Sequence, residues 1–260
     1  MRSAAKKNSK IIEIRDLHKS FGEKSVLSGV NLDVDKGSSM VILGTSGTGK
    51  SVLIKSIIGL IEPDSGSIKI QGQDTTFLSE SQRFILMKKC GYLFQGGALF
   101  DSMTIEENVL FFAEKLYKMS KAEKHELAAE KIHSVGLHVS VLKQYPSELS
   151  GGMQKRAALA RTICTDPEII FFDEPTTGLD PIMSNVINDL IIKTREELGA
   201  TTITITHDIN SANRIASNIA MLNQGKILWH GSKDEMQNSD NDYINQFIHG
   251  LSHGPITIDA

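Results

Sequence analysis

The chain has 260 residues, with 28 Lys and Arg against 31 Asp and Glu for a formal net charge of -3, 40% hydrophobic and 23% charged residues. This is ordinary globular usage: it excludes a stapled miniprotein, and it disfavours both general disorder and a globally basic nucleic-acid binder. Cys90 and Cys164 are the only cysteines and fit no metal-ligand spacing, so a reducing, cytoplasmic setting is expected.

No stretch approaches the roughly 18 to 20 apolar residues that span a bilayer. The start of the chain, with Arg2, Lys6, Lys7 and Lys10, is polar and basic with no apolar segment behind it, and a disordered basic tail is predicted over 1–10. Apolar positions then alternate through Ile12 and Ile14 and through Val30, Leu32 and Val34, which predicts two half-buried strands. Met40 to Leu43 is a short apolar run ending at Gly44, and Lys50 to Ile58 reads as a largely buried helix. Pro63 to Gly66 is a turn cluster before a strand at Ile68 to Ile70.

From Leu99 to Cys164 the pattern is helical. Thr104 with Glu107 predicts a capping box before Ile105, Val109, Phe112 and Leu116, and Ser120 with Glu123 predicts another before Leu127 and Ile132, with a stop at Gly136. Strands are predicted again at Ile169 to Phe172 and Thr202 to Thr206, so the helical block is an insertion in one α/β sheet. A hairpin is predicted from Ile219 through Asn223-Gln224-Gly225 to Trp229, and the last twenty or so residues read only as an extension.

Gly44-Thr45-Ser46-Gly47-Thr48-Gly49-Lys50-Ser51 matches the P-loop pattern in full, between an apolar strand and a helix. Such a loop turns backbone N–H groups around phosphate oxygens, Lys50 adds a point charge, and the Ser51 hydroxyl ligates Mg²⁺. Asp173, ending the apolar run from Ile169, is the expected metal-side carboxylate. Glu174, next to it, is placed to orient and deprotonate a water attacking the γ-phosphate, which favours hydrolysis over phosphate transfer.

Leu149-Ser150-Gly151-Gly152 precedes a good helix from Met153 to Cys164, a second candidate anion-binding helix start. One chain with one ATP has no evident use for two such elements unless the second faces nucleotide held by another copy.

These residues resemble the ATP-binding subunits of ABC transporters: the P-loop, the signature Leu149-Ser150-Gly151-Gly152-Met153-Gln154, and Asp173-Glu174-Pro175-Thr176-Thr177-Gly178-Leu179-Asp180-Pro181 follow in the family's order. The resemblance spans about 11–231 and implies a P-loop NTPase of ABC ATPase type, an α/β fold with a RecA-like core, a small antiparallel β-subdomain and an inserted α-helical subdomain. The implied division is a core over 11–98 and 165–230, a helical signature subdomain over 99–164 and a C-terminal extension over 231–260.

The resemblance also implies roles. Phe21 would stack on adenine, Gln95 would reach Mg²⁺ and the attacking water, the loop of Asp180 would cross a dimer interface, and His207 would contact the γ-phosphate. Two copies would sandwich two ATP, each between one P-loop and the partner's Ser150, Gly151 and Gly152. A separate integral membrane permease would dock beside Gln95, where Leu99, Phe100 and Met103 offer apolar contacts.

Within the family, Gln95-Gly96-Gly97-Ala98-Leu99-Phe100-Asp101-Ser102-Met103-Thr104, the Met153-Gln154-Lys155-Arg156 continuation and the end Phe247-x-x-Gly250-x-x-x-Gly254-Pro255-Ile256 are similar to the ATPases of MCE-type lipid-trafficking systems, the Mla group of Gram-negative bacteria. That implies phospholipid movement between bacterial inner and outer membranes, a place at the cytoplasmic face of the inner membrane, and MCE-domain and STAS-domain partners. The rivals are an ABC ATPase serving another substrate, a soluble ATP-gated clamp on nucleic acid or the ribosome, and a small-molecule kinase. The clamp lacks its long heptads or second ATPase domain, and the kinase leaves Leu149 to Gln154 without a purpose. No nucleic-acid partner is expected.

Overall fold

A computed structural model describes residues 9–256. The expected basic tail, apart from its last two residues, and the final four residues of the extension lie outside the described residues. Among the described residues there are two compact units, 9–83 with 216–256, and 84–215.

The first unit opens with β1 (Lys10–Phe21) and β2 (Lys24–Asp35), an antiparallel pair in the register that the apolar alternation requires, Ile12 opposite Val34 and Ile14 opposite Leu32. All four of these side chains are buried, so the period-two pattern marks a real core face. β3 (Ser39–Leu43) is buried along its whole length and leads through the glycine loop into α1 (Lys50–Ile57). β4 (Ser65–Ile70) pairs with the other edge of β1, and β5 (Gln73–Asp74) with β4, completing the sheet in the order β2-β1-β4-β5. The Ser65-Gly66 end of the turn cluster is thus already strand. α2 (Glu80–Met87) carries the chain out of this unit.

In the second unit, β6 (Cys90–Leu93), β7 (Ile169–Asp173) and β8 (Thr201–Thr206) run parallel with β7 in the middle. β7 is apolar up to its last residue, as a strand covered on both faces should be, and Phe171 and Phe172 are fully buried. The alternating threonines of β8 are buried as well, because their branched side chains fill a pleated surface as valines would.

Around these strands are α3 (Ile105–Leu110), α4 (Ala113–Leu116), α5 (Lys121–Ser134), α6 (Gly151–Ile163), α7 (Pro181–Leu198) and α8 (Ile209–Ile215). Both predicted capping boxes form, Thr104 with Glu107 and Ser120 with Glu123. The helix predicted through Leu116 is broken into α3 and α4. At the break the adjacent rings of Phe111 and Phe112 are drawn to different partners, Phe100 at 4.6 Å and Phe84 at 6.3 Å between centroids.

The chain returns to the first unit with β9 (Asn218–Asn223), parallel to β3, and β10 (Lys226–Ser232), antiparallel to β9. Their turn, Gln224-Gly225, has positive φ at both positions (46° and 73°), the form that a two-residue hairpin demands. The extension is more ordered than its composition suggests: α9 (Lys233–Gln237) starts from a Ser232 and Glu235 capping box, and α10 (Asp242–His249) is capped by Asn241. Among the described residues no helix is long and apolar enough to cross a membrane.

Candidate functional site

In the first unit the loop from Gly44 to Gly49 sits between the end of β3 and the start of α1. At Gly44 a β-carbon would lie 2.3 Å from the Leu222 carbonyl oxygen, so only glycine lets the loop pass this close to β9. Thr48 Oγ1 donates to the Thr45 carbonyl at 2.9 Å and Lys50 Nζ donates to the Gly44 and Thr45 carbonyls at 2.7 and 2.8 Å, so the loop's own side chains brace its curve. The N-cap of α1 is Gly49, which has no side chain to occupy the positive end of the helix. Phe21, at the end of β1, is half exposed rather than in the core, with Lys19 Nζ 5.4 Å from its ring centroid.

In the second unit, Asp173 ends β7 and Glu174 follows with φ 49°, a conformation that non-glycine residues seldom adopt. That turn aims Glu174 at two groups: its Oε2 lies 2.7 Å from His207 Nδ1, just beyond β8, and accepts from Thr177 Oγ1 at 2.8 Å. The parallel pairing of β7 with β8 places His207 there, because Asp173 is opposite Ile205. Tyr92 on β6 donates its hydroxyl to Asp173 Oδ2 at 2.9 Å. Burial, followed by the charge of Asp173, pushes the Tyr92 phenol well above its ordinary value, which keeps the donor proton in place.

Ser150 caps α6, its Oγ accepting from Met153 N, so the Ser-Gly-Gly element is the first turn of a thirteen-residue helix. Gly151 faces open space, whereas a β-carbon at Gly152 would lie 2.9 Å from Met183 Sδ, which brings the start of α6 against α7. Asp180 caps α7 by accepting from the N–H groups of Ile182 and Met183, both at 2.9 Å. Gln95 is exposed beyond β6, and its backbone carbonyl accepts from Lys155 of α6. Burial pulls the Lys155 ammonium below its ordinary value, against the charges of Asp173 and Glu174.

The structure therefore brings Glu174 to His207 and the Gln95 loop to α6, while the P-loop and Phe21 belong to the first unit. Sequence reasoning passed over Tyr92 and Thr177 as site-supporting residues, and it placed Lys155 and Arg161 only on the helix after the Ser-Gly-Gly element, not on the Gln95 loop that they hold. Only Thr177, three positions from Glu174, left a local signal. Burial pushes the thiols of Cys90 and Cys164 up to about 12, which makes neither a nucleophile. For a cation, the Asp173 carboxylate at the end of β7 in the second unit is a hard oxygen donor, the ligand chemistry that suits Mg²⁺, and in the first unit the Ser51 hydroxyl is a donor of the same kind.

A protein-family model described as "ABC transporter" matches residues 27–177. The chain is 40% identical over 245 residues to the "Probable ribonucleotide transport ATP-binding protein mkl" of Mycobacterium leprae, covering 94% of this chain and 70% of that one. It is 35% identical over 246 residues to the "Intermembrane phospholipid transport system ATP-binding protein MlaF" of Escherichia coli K12, covering 95% and 91%. Among solved structures, a dimeric post-hydrolysis state of the ATP-binding cassette MJ0796 bound to ADP and Pi superimposes with a TM-score of 0.79 at 32% identity, over 85% of this chain and 98% of that one. The α/β cassette expected from the motifs is the fold found.

Proposed function

The chain belongs to the ABC transporter family as an ATPase subunit whose hydrolysis is coupled to transport, and on that premise we propose that it dimerises around two ATP to drive phospholipid trafficking between bacterial membranes. The observation that carries the hydrolytic part is the Glu174 carboxylate, held by His207 Nδ1 at 2.7 Å and Thr177 Oγ1 at 2.8 Å directly after Asp173. A carboxylate fixed by two neighbours at a strand end is organised to accept a proton from water.

In this mechanism Phe21 stacks on adenine, and the N–H groups of Gly44, Thr45, Ser46, Gly47, Thr48 and Gly49 bind phosphate oxygens with the Lys50 charge. Ser51, Gln95 and Asp173 would hold Mg²⁺, which would supply positive charge beside the phosphates when bound. Glu174 takes the proton from the attacking water at its carboxylate, while His207 contacts the γ-phosphate. Ser150, Gly151 and Gly152 of a second copy close on the nucleotide, with Asp180 at the crossing between copies. ATP that binds the closed pair more tightly than the open one biases a membrane partner between two conformations.

The proposed division into a core over 11–98 and 165–230, a helical subdomain over 99–164 and an extension over 231–260 belongs to this reading. So do the permease, the MCE-domain and STAS-domain partners and the cytoplasmic face of the inner membrane. In the second unit Phe84, Phe94 and Phe100 are each exposed by 36 to 40%, apolar surface suited to a permease helix. The phospholipid cargo draws its support from the similarity to the Escherichia coli protein across 95% of this chain. The name of the mycobacterial relative favours a second cargo class, ribonucleotides.

The deciding experiment is affinity purification from detergent-solubilised membranes, reconstitution with the co-purifying proteins, and measurement of ATP-dependent phospholipid movement. A permease with MCE- and STAS-domain proteins and ATP-driven lipid transfer is the expected result. ATP-dependent ribonucleotide uptake without lipid transfer would overturn the cargo, and co-purification with RNA or DNA alone would overturn the transport role.

A further inference from the structure

We propose that Lys155 is a positioning residue for ATP hydrolysis: from inside α6 it holds the Gln95 backbone carbonyl, and with Arg161 it fastens the Gln95 loop to the helix that carries Ser150, Gly151 and Gly152. The inference deepens the proposed function and rests on the role assigned there to Gln95.

Two side chains of α6 make the attachment. Lys155 Nζ donates to the Gln95 carbonyl, and the Arg161 guanidinium forks over the next turn of the loop, Nη2 to the Gly97 carbonyl at 2.6 Å and Nη1 to the Ala98 carbonyl at 2.7 Å. Positive φ at Gly97 (76°) and Ala98 (50°) bends the loop there, and a β-carbon at Gly97 would lie 3.3 Å from Ala158 Cβ, so the loop lies directly on the helix.

Lysine is a costly choice for this place. Only 8% of Lys155 is exposed, and a buried ammonium loses hydration that an apolar side chain of similar length never needed. What compensates is the Gln95 carbonyl and the field of Asp173 and Glu174, the two acids next to the proposed chemistry. A methionine would fill the same volume without making the tether. The lysine thus links the loop that presents Gln95 to the helix whose first turn is the Ser-Gly-Gly element, so that neither moves independently of the other.

The test compares Lys155→Met, Lys155→Arg, Gln95→Ala and the Lys155→Met/Gln95→Ala pair in the full chain with its co-purifying membrane partners. It reads kcat and KM for ATP, together with melting temperature. Expected for Lys155→Met is a fall in kcat of roughly 10- to 100-fold at unchanged KM and melting temperature, with recovery in Lys155→Arg. In the Gln95→Ala background the methionine adds no further loss, because the group it positions is gone.

If Lys155→Met does not fold, Lys155→Leu, which likewise lacks the N–H donor to the Gln95 carbonyl, takes its place in the same comparison with the same expected loss of kcat. Parental kcat in the variant that lacks the donor, or a loss that adds to that of Gln95→Ala, overturns the inference while leaving the proposed function standing. Gln95→Ala turning over like the parent overturns the role of Gln95 and the inference with it.

Discussion

The Tyr92 hydroxyl donates to Asp173 Oδ2 at 2.9 Å, joining the middle of β6 to the last residue of β7. Groups that orient a metal-binding carboxylate typically change metal affinity by about 10- to 100-fold when removed. Tyr92→Phe deletes one oxygen and leaves the ring packed on Phe94 at 4.4 Å. Titrating ATP binding against Mg²⁺ is expected to show half-saturation shifted roughly tenfold upward, with nucleotide binding in EDTA unchanged. An unshifted Mg²⁺ titration would remove Asp173 from the metal side.

Glu174→Gln keeps the shape of the side chain and removes its capacity to accept a proton. Loss of a general base costs about 10²- to 10⁴-fold, so phosphate release is expected to fall by that factor while ATP still binds. With hydrolysis blocked, light scattering should register an ATP-dependent dimer that the parent chain forms only transiently. Normal phosphate release from this variant would exclude Glu174 as the water-activating group.

A helix cap supplies a prediction about stability alone. Ser120 accepts from the Glu123 N–H at 3.3 Å, and the Glu123 carboxylate returns to the Ser120 N–H at 2.7 Å. Ser120→Ala removes one half of the box, worth about 1 kcal/mol. The expected outcome is a melting temperature lower by about 2 to 4 °C with turnover per folded molecule unchanged.

Acid sensitivity is expected at Asp33, whose carboxylate meets Arg15 Nη1 at 2.6 Å and also Lys10 Nζ. Burial by itself would raise the Asp33 carboxyl, but the hydrogen bonds and charges of Arg15 and Lys10 together carry it below 3.8. Because the folded value is the lower one, the contribution is present above the unfolded value and is lost as pH falls through the folded one. Asp33→Asn should therefore destabilise the protein by up to about 1 kcal/mol at neutral pH, and the two unfolding curves should converge as pH falls below the lowered folded value of Asp33.

Much of the site is legible before any coordinates because its pieces are short runs. Gly44 to Ser51 and Leu149 to Gln154 are loop-to-helix transitions whose chemistry comes from neighbouring backbone groups, so consecutive residues suffice to identify them. The strands are legible for a similar reason: burial on one face or on both leaves alternation in β1 and β2 and a continuous apolar run in β7. The break at Phe111 and Phe112 is not, since helical spacing is kept on both sides of it and only the separate partners of the two rings reveal it. The helices of the extension were open to inference from Ser232 and Glu235, which repeat the spacing of Ser120 and Glu123.

The residues that fix the geometry around the chemistry are of another kind. Tyr92 is 81 positions from Asp173 and Lys155 is 60 positions from Gln95, so no local pattern connects either pair. Their juxtaposition follows from parallel pairing of β6 with β7 and from α6 packing against the loop beyond β6. The sequence by itself thus determined where the P-loop pattern and the Ser-Gly-Gly helix start lie along the chain and where the carboxylates fall. Tertiary structure alone decided which distant side chains hold those groups still, because hydrogen-bond orientation depends on distances of about 3 Å that only the packed chain defines.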